Sequence, residues 1–141
     1  MRKFLRYARY MKFPEKKIIL FDLDDTLAES KAAITESMGE ALTLLLQHAK
    51  VGVITGGKWE QCKKQVIDRL PSEAQNHLHN FYVLPTCGTR LDTFNGETWE
   101  TTYAEMLSEE EKVEITNALN ISAKGMYDMS TLYGDIIEDR G

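Results

Sequence analysis

Several features that define whole classes of protein are scarce or missing in this sequence of 141 residues. The two cysteines, Cys62 and Cys87, lie 25 positions apart without a Cys-x-x-Cys motif. This argues against a disulfide scaffold or a zinc knuckle and favours a reducing cytoplasm. With only three prolines, the chain has no proline-rich linker. No apolar run approaches the roughly 18 residues of a membrane-spanning helix. We therefore predict a globular protein that does not span a membrane.

Charge is distributed unevenly along the chain. Residues 1–17 carry seven Lys or Arg and one Glu, whereas the remainder carries ten Lys or Arg and twenty-one acidic residues. An acidic body argues against a general nucleic-acid-binding protein. The basic start lacks the continuous apolar segment of a secretory signal. We interpret residues 1–15 as a frayed or packed N-terminal extension, with an amphipathic helix at a membrane or partner surface as the alternative.

Apolar periodicity predicts alternating strands and helices in the first half of the chain. Three short, nearly continuous apolar runs are typical of buried parallel strands. The segments between them have apolar residues at helical spacing, and Thr35 is a predicted N-cap. The predicted order is a strand at 18–23, a helix at 35–48, a strand at 51–54, a helix at 58–70 and a strand at 81–84. This order predicts an α/β fold, a Rossmann-like parallel sheet with right-handed crossovers and helices on both faces.

The pattern changes in the last third of the chain. Residues 89–103, with Asn95-Gly96 at the centre, predict a β-hairpin with a primed turn. Ser108 and Glu111 form a predicted capping box, from which a helix runs to about residue 120. We predict three regions: the extension at 1–15, a core domain at 16–88 and the beginning of an α+β cap domain at 89–141.

Three carboxylates follow the first predicted strand, in the run Phe21-Asp22-Leu23-Asp24-Asp25-Thr26-Leu27. Crowded carboxylates repel one another unless a cation or amide donors compensate for their charge. Mg²⁺ is the natural cation, because it prefers oxygen ligands and shares them with phosphate. Since ligands of open α/β sheets bind beyond the carboxyl ends of the strands, we expect these acids, Thr55 and the turn at 85–88 to share one edge. A turn with helix-capping Asp residues is the alternative interpretation.

Two of these segments resemble known motifs. The segment IILFDLDDTLAES (18–30) resembles the first motif of the haloacid dehalogenase superfamily, an apolar strand followed by DxDxT. The segment VGVITGG (51–57) resembles its second motif, an apolar strand that ends in Ser or Thr. These two segments and a third, FYVLPTCGTRLDTFNGE (81–97), are together most similar to the cap-bearing phosphomannomutase and sugar-phosphate phosphatase-like group. The resemblance covers about residues 16–100.

The resemblance implies a role for each residue of the two motifs. Asp22 would be the nucleophile that forms an aspartyl phosphate, and Asp24 would be the general acid/base. Mg²⁺ would be held by the Asp22 carboxylate and the Asp24 backbone carbonyl. Thr55 would hydrogen-bond the transferring phosphoryl group, while Gly56 and Gly57 would let backbone N–H groups approach it. For the two glycines alone, a tight strand-to-helix turn is the alternative.

The implied function is that of a Mg²⁺-dependent phosphatase. Its expected substrate is a small phosphorylated metabolite, specifically a sugar phosphate, and phosphomannomutase-like phosphoryl transfer is the alternative activity. A receiver-type phospho-acceptor domain also begins with paired acids after a strand. That interpretation is disfavoured because it needs an Asp at the end of the third strand, and no Asp occurs between Asp68 and Asp92.

The sequence also departs from the family pattern. Asp25 stands where cap-bearing relatives usually have Gly, and Cys87 stands where they usually have Asn; we predict that Cys87 is a buried small residue. Nothing after Gly88 resembles the later Lys or the later acidic motif of the family. We therefore expect an N-terminal portion of a longer protein, with weak Mg²⁺ binding and low or absent turnover. A catalytically inactive fragment whose sheet is completed by a second copy is the further alternative.

Overall fold

A computed structural model describes residues 18–126 and Ile137. The predicted N-terminal extension lies outside the described residues, as does most of the chain after residue 126. The strands are β1 (Ile19–Asp22), β2 (Val51–Ile54), β3 (Phe81–Leu84), β4 (Arg90–Phe94) and β5 (Trp99–Ala104). The helices are α1 (Glu36–Leu46), α2 (Trp59–Gln65) and α3 (Glu109–Met126), and short 3₁₀ segments occupy Ile67–Arg69, Ser72–Asn80 and Thr86–Gly88.

The strands form one mixed sheet in the order β1-β2-β3-β4-β5. β1, β2 and β3 are parallel, and their register sets Asp22 opposite Ile54 and Ile54 opposite Leu84. The predicted α/β class and the predicted β-hairpin are therefore confirmed. β4 pairs antiparallel with β3, so the hairpin continues the sheet, and the domain boundary predicted at residue 88 falls inside it.

The hydrophobic core lies on one face of the sheet. Alternate strand residues point to this face, where Val53 and Phe81 are fully buried together with Leu46 of α1 and Cys62 of α2. Helices α1 and α2 both pack on this face of the sheet. Each connects a strand to the next parallel strand in the order β1-β2-β3, and right-handed connections that proceed in the same direction across a sheet place their helices on the same face. The prediction had placed helices on both faces. On the opposite face Leu20 is 52% exposed.

The helix bounds follow from local chemistry and packing. Thr35 caps α1 by accepting a hydrogen bond from Met38 N at 3.3 Å, as predicted. Helix α2 ends at Gln65 rather than continuing to residue 70, because Val66 has φ −121° and a 3₁₀ turn follows. Val66 and Ile67 are both buried, and packing of these β-branched side chains overrides the helical pattern. None of the described helices is both long enough and apolar enough to cross a membrane.

A polar and aromatic cluster joins α2 to the β4–β5 hairpin. The Asp92 carboxylate, only 1% exposed, accepts hydrogen bonds from Arg90 Nε and Nη2 at 2.8 and 2.7 Å and from the Thr101 hydroxyl at 2.9 Å. The Arg90 guanidinium lies 5.7 Å from the centre of the Trp59 ring. Trp59 and Trp99 have ring centres 5.3 Å apart. This ion pair is thus held inside a largely apolar joint.

Candidate functional site

The two predicted catalytic carboxylates follow directly from the end of β1. Asp22 is the last residue of the strand and is exposed, while Asp24, two positions later, is half-buried. Leu23 between them is fully buried in the core. Because successive side chains of an extended segment point to opposite sides, Asp22 and Asp24 both project away from the core at the carboxyl edge of the sheet.

Backbone amides compensate part of the charge in the loop after β1. Asp24 Oδ1 accepts a hydrogen bond from Lys31 N at 2.9 Å, and Asp25 Oδ1 accepts one from Ser30 N at 3.1 Å. Asp25 and Lys31 have left-handed backbone conformations, with φ of 56° and 61°. No helix begins at these hydrogen bonds; they close a loop on itself and fix the direction of one oxygen of each carboxylate.

The loops after β2 and β3 are tied to one another. Cys87 N donates to Thr55 O at 2.9 Å, and Thr86 N donates to Gly57 O at 2.9 Å. The buried Thr55 hydroxyl accepts from Gly57 N at 3.1 Å. The hydroxyl hydrogen of Thr55 is therefore available for a second acceptor, whereas the Gly57 N–H predicted to approach phosphate is already engaged in this structure.

The expectation that Cys87 is buried is wrong. Thr86, Cys87 and Gly88 all have positive φ, at 47°, 57° and 87°. This left-handed turn presents the Cys87 side chain to solvent, where it is exposed as a free thiol. The pattern of residue types gave no signal of three consecutive left-handed residues, because only one of them is glycine.

One pocket of about 720 Å³ opens beside these loops. It brings together Asp24, Gly56 and Gly57 of the predicted site. Asp22 and Thr55 do not line this pocket. Asp22 lies exposed at the end of β1, and Thr55 is buried beneath the loop after β2. Sequence reasoning missed most of the other lining residues, which are Ser30, Lys31, Ala33, Gln61, Lys64, Gln65 and Arg69.

A signal for part of this wall is present in the sequence. Gln61, Gln65 and Arg69 recur every four residues in the predicted helix 58–70, beside its apolar stripe with Cys62 and Val66. In the structure α2 contains only the two glutamines, and Arg69 lies in the 3₁₀ turn that follows. Residues spaced by four lie on one face of a helix. A polar stripe next to a buried one, directly after the second motif, would have identified the wall.

The carboxylates provide a partial match to a magnesium site. Carboxylate and carbonyl oxygens, as offered by Asp22 and Asp24, are the ligands that Mg²⁺ prefers. Within residues 18–126, no group of three or more Asp, Glu, His or Cys side chains is placed to hold a metal ion. Mg²⁺ accepts such a sparse set, since it keeps several waters and shares its ligands with phosphate. The donor chemistry of Asp22 and Asp24 therefore fits Mg²⁺.

Comparisons with known proteins agree with these motifs. No family model matches the chain. A phosphomannomutase of Encephalitozoon cuniculi (strain GB-M1) is 41% identical over 56 residues, which are 40% of this chain and 22% of that protein. Phosphomannomutase 2 of Dictyostelium discoideum is 43% identical over 49 residues, 35% of this chain and 20% of that protein. The chain thus spans about a fifth of the length of these curated relatives.

A solved structure supports the fold independently. ATP-bound IMP-nucleotidase of Plasmodium falciparum matches with a TM-score of 0.59 and 20% identity, over 74% of this chain and 29% of that chain. Identity at this level supports similarity of fold alone. The sheet order, the two strand-end motifs and the local similarity to phosphomannomutases together indicate the haloacid dehalogenase superfamily.

Proposed function

We propose that this chain carries the phosphoryl-accepting part of a Mg²⁺-dependent phosphatase that acts on a small phosphorylated metabolite. One observation carries the proposal: Asp24 shares a pocket with Gly56 and Gly57, and Asp22 stands exposed at the strand end two residues earlier. This juxtaposition sets a potential nucleophile and a potential proton donor beside a loop that can accommodate a phosphate.

The proposed reaction has two steps. An oxygen of Asp22 attacks phosphorus, the bond to the leaving oxygen breaks, and Asp24 gives its proton to that oxygen. Asp24 then takes a proton from water, whose oxygen attacks the phosphorus and releases Asp22 and inorganic phosphate. The resemblance also gives Thr55 a contact with the phosphoryl group; because Thr55 is 3% exposed and does not line the pocket, this contact requires the loop after β2 to shift when phosphate binds.

Asp24 is suited to the proton-transfer role by its asymmetric environment. Its Oδ1 is held by Lys31 N at 2.9 Å, which fixes the plane of the carboxyl group and leaves Oδ2 for proton transfer. The Asp22 carboxylate and the Asp24 backbone carbonyl would hold Mg²⁺. When bound, the ion supplies positive charge that allows an anionic carboxylate to approach an anionic phosphate.

The assay that tests this proposal follows release of phosphate from an aryl phosphate in the presence of Mg²⁺. We expect Asp22→Asn and Asp24→Asn to abolish the rate. Asp25→Asn is the matched control, because Asp25 belongs to the same loop and accepts a backbone hydrogen bond but does not line the pocket. Equal rates for the unaltered chain and Asp22→Asn would contradict the proposal and would favour a catalytically inactive fragment.

Phosphomannomutase-like transfer is the second candidate, favoured by the names of the two curated relatives. The same nucleophile serves both reactions, and they differ in whether the phosphoryl group passes to water or to a sugar hydroxyl. Phosphorus NMR of a reaction with a hexose 1-phosphate separates them. Inorganic phosphate as the product indicates the phosphatase, whereas a hexose 6-phosphate indicates transfer.

Self-association is a third candidate property, favoured by the uncovered side of β1. Leu20 and Ile18 are 52% and 37% exposed, and β1 pairs only with β2 among the described strands. An apolar strand at the edge of a sheet is a template for a second chain. Sedimentation equilibrium of the unaltered chain and of Leu20→Lys tests this, and a monomer at all concentrations would contradict it.

The two free thiols bear on the cellular compartment of the proposed activity. Cys62 is buried and Cys87 is exposed, and both are free. An exposed free thiol is typical of a reducing compartment. We therefore propose a cytoplasmic phosphatase with a small-molecule substrate rather than a nucleic acid.

A further inference from the structure

Gln65, the last residue of α2, holds the loop that follows β1. Its side chain Nε2 donates to Ala32 O at 2.9 Å, and its backbone carbonyl accepts from Ile34 N at 2.9 Å. The residue is only 6% exposed and lies in the wall of the pocket that Asp24 also lines. Two hydrogen bonds from one residue therefore clamp residues 32–34 to α2.

The amide of Gln65 is an unfavourable group for this buried position. Its Oε1 is buried and has no hydrogen-bond partner. Among the described residues, no other buried side-chain nitrogen or oxygen atom lacks a partner. An unpaired buried acceptor has lost its hydration without compensation. A side chain of similar size and no acceptor would avoid that penalty. Stability alone therefore does not explain a glutamine here, and departures of this kind occur at functional sites.

Lys31 connects the segment held by Gln65 to Asp24. Lys31 precedes Ala32, and its N–H donates to Asp24 Oδ1 at 2.9 Å. Lys31 reaches this geometry in a left-handed conformation, with φ of 61°. Such a conformation is unfavourable for a residue other than glycine and persists only where its neighbours are fixed. Gln65 fixes the neighbour on the carboxyl side.

We propose that Gln65 is a positioning residue for Asp24. By holding residues 32–34 it keeps Lys31 N–H directed at Oδ1, and this turns Oδ2 of Asp24 toward the pocket. The consequence for chemistry rests on the proposed function, in which Asp24 transfers the proton. The consequence for geometry does not, since the hydrogen bond from Lys31 exists whether or not the chain turns over a substrate.

Two substitutions test this proposal. Gln65→Met keeps the length of the side chain while it removes both the bond to Ala32 and the unpaired acceptor. Asn80→Leu is the matched control, because Asn80 Nδ2 makes the same kind of bond, to Leu46 O at 3.0 Å, and Asn80 does not line the pocket. Three quantities are measured for each: the urea midpoint of unfolding, amide hydrogen exchange by NMR, and phosphate release with KM and kcat separated.

For Gln65→Met we expect an unfolding midpoint no lower than that of the unaltered chain. We also expect exchange at the Lys31 amide about tenfold faster, as follows from losing its restraint, and kcat about tenfold lower with little change in KM, because misplacement of a proton donor affects the chemical step. Asn80→Leu leaves Lys31 exchange and kcat unchanged.

An unchanged rate of hydrogen exchange at the Lys31 amide in Gln65→Met would overturn the proposal. A lower unfolding midpoint together with uniformly faster exchange across the sheet would also overturn it, because that result is expected of a residue with only a structural role. If the unaltered chain shows no activity that depends on Asp22, the proposed function fails, but the exchange measurement still decides whether Gln65 positions Asp24.

Discussion

The buried ion pair between Arg90 and Asp92 allows a sharp test of how the hairpin is attached to the core. The Asp92 carboxylate is 1% exposed and receives two of its three hydrogen bonds from Arg90. Arg90→Leu leaves this carboxylate, whose side chain is 2% exposed in the folded chain, with the Thr101 hydroxyl alone. Loss of one partner of a buried pair costs about 3–5 kcal/mol of the free energy of unfolding at neutral pH.

The double variant Arg90→Leu/Asp92→Leu separates the buried charge from the lost packing. With both charges gone no unpaired group remains, so the free energy of unfolding returns to within about 1 kcal/mol of that of the unaltered chain. Lys63→Leu is the control, because the Lys63–Asp68 pair has side chains 46% and 47% exposed. A surface pair of this kind contributes about 0–1 kcal/mol.

Urea unfolding followed by tryptophan fluorescence measures these differences. The sequence has two tryptophans, Trp59 and Trp99, and both lie in this cluster. If Arg90→Leu lowers the free energy of unfolding by less than about 1 kcal/mol, or if the double variant is as unstable as the single one, Asp92 is not a buried charge that depends on Arg90.

Four further predictions concern ionisation, thiol reactivity and backbone conformation. Burial and then the nearby Asp92 carboxylate raise the pKa of Cys62 from 9.0 to about 12. The unfolded chain therefore ionises this thiol first, and the free energy of unfolding falls by about 1.4 kcal/mol per pH unit above pH 9, a slope that Cys62→Ala removes in pH-dependent urea titrations. At pH 8 a thiol reagent should modify Cys87 and spare Cys62 until the chain unfolds. The backbone N–H and then the hydroxyl of Ser108 hold the pKa of Glu111 below its ordinary 4.5. The contribution of α3 to helical circular dichroism should thus decrease as the pH falls through the lowered pKa, and this decrease should be smaller in Glu111→Ala. Cys87→Asn should raise the unfolding midpoint, because Asn tolerates the left-handed conformation at φ 57° better than Cys does; an unchanged or lower midpoint would contradict this.

The sequence predicted the elements whose signals are local. The apolar runs, the Thr35 cap and the β-hairpin each depend on residues within a few positions of one another, and the structure contains all three features. The hairpin connection is residues 95–98 rather than Asn95-Gly96 alone, because Asn95 N donates to Thr98 O at 3.0 Å and only Gly96 of this loop has a positive φ. The reciprocal bonds of Ser108 and Glu111, at 2.8 and 3.2 Å, are likewise those that a capping box predicts.

What the sequence could not predict depends on contacts between distant segments. The end of α2 is decided by burial of Val66 and Ile67 against the sheet, which overrides a helical pattern. Gln65 meets Ala32 across 33 positions, so no local pattern could have identified it. The predicted roles of Asp22, Asp24, Thr55, Gly56 and Gly57 remain predictions, although the structure places Asp24 and the two glycines around one pocket.

Helix α3 has a consequence for how the chain melts. Its apolar side chains, among them Val113, Leu119 and Ile121, are exposed to solvent. The described residues leave much of this helix of 18 residues uncovered, and a helix with little tertiary packing is marginal in water, so that its population declines gradually with temperature. The sheet, in contrast, has a common buried core and should unfold in one cooperative transition. Calorimetry should therefore record a single peak for the sheet, while the far-ultraviolet signal begins to drift at temperatures well below that peak.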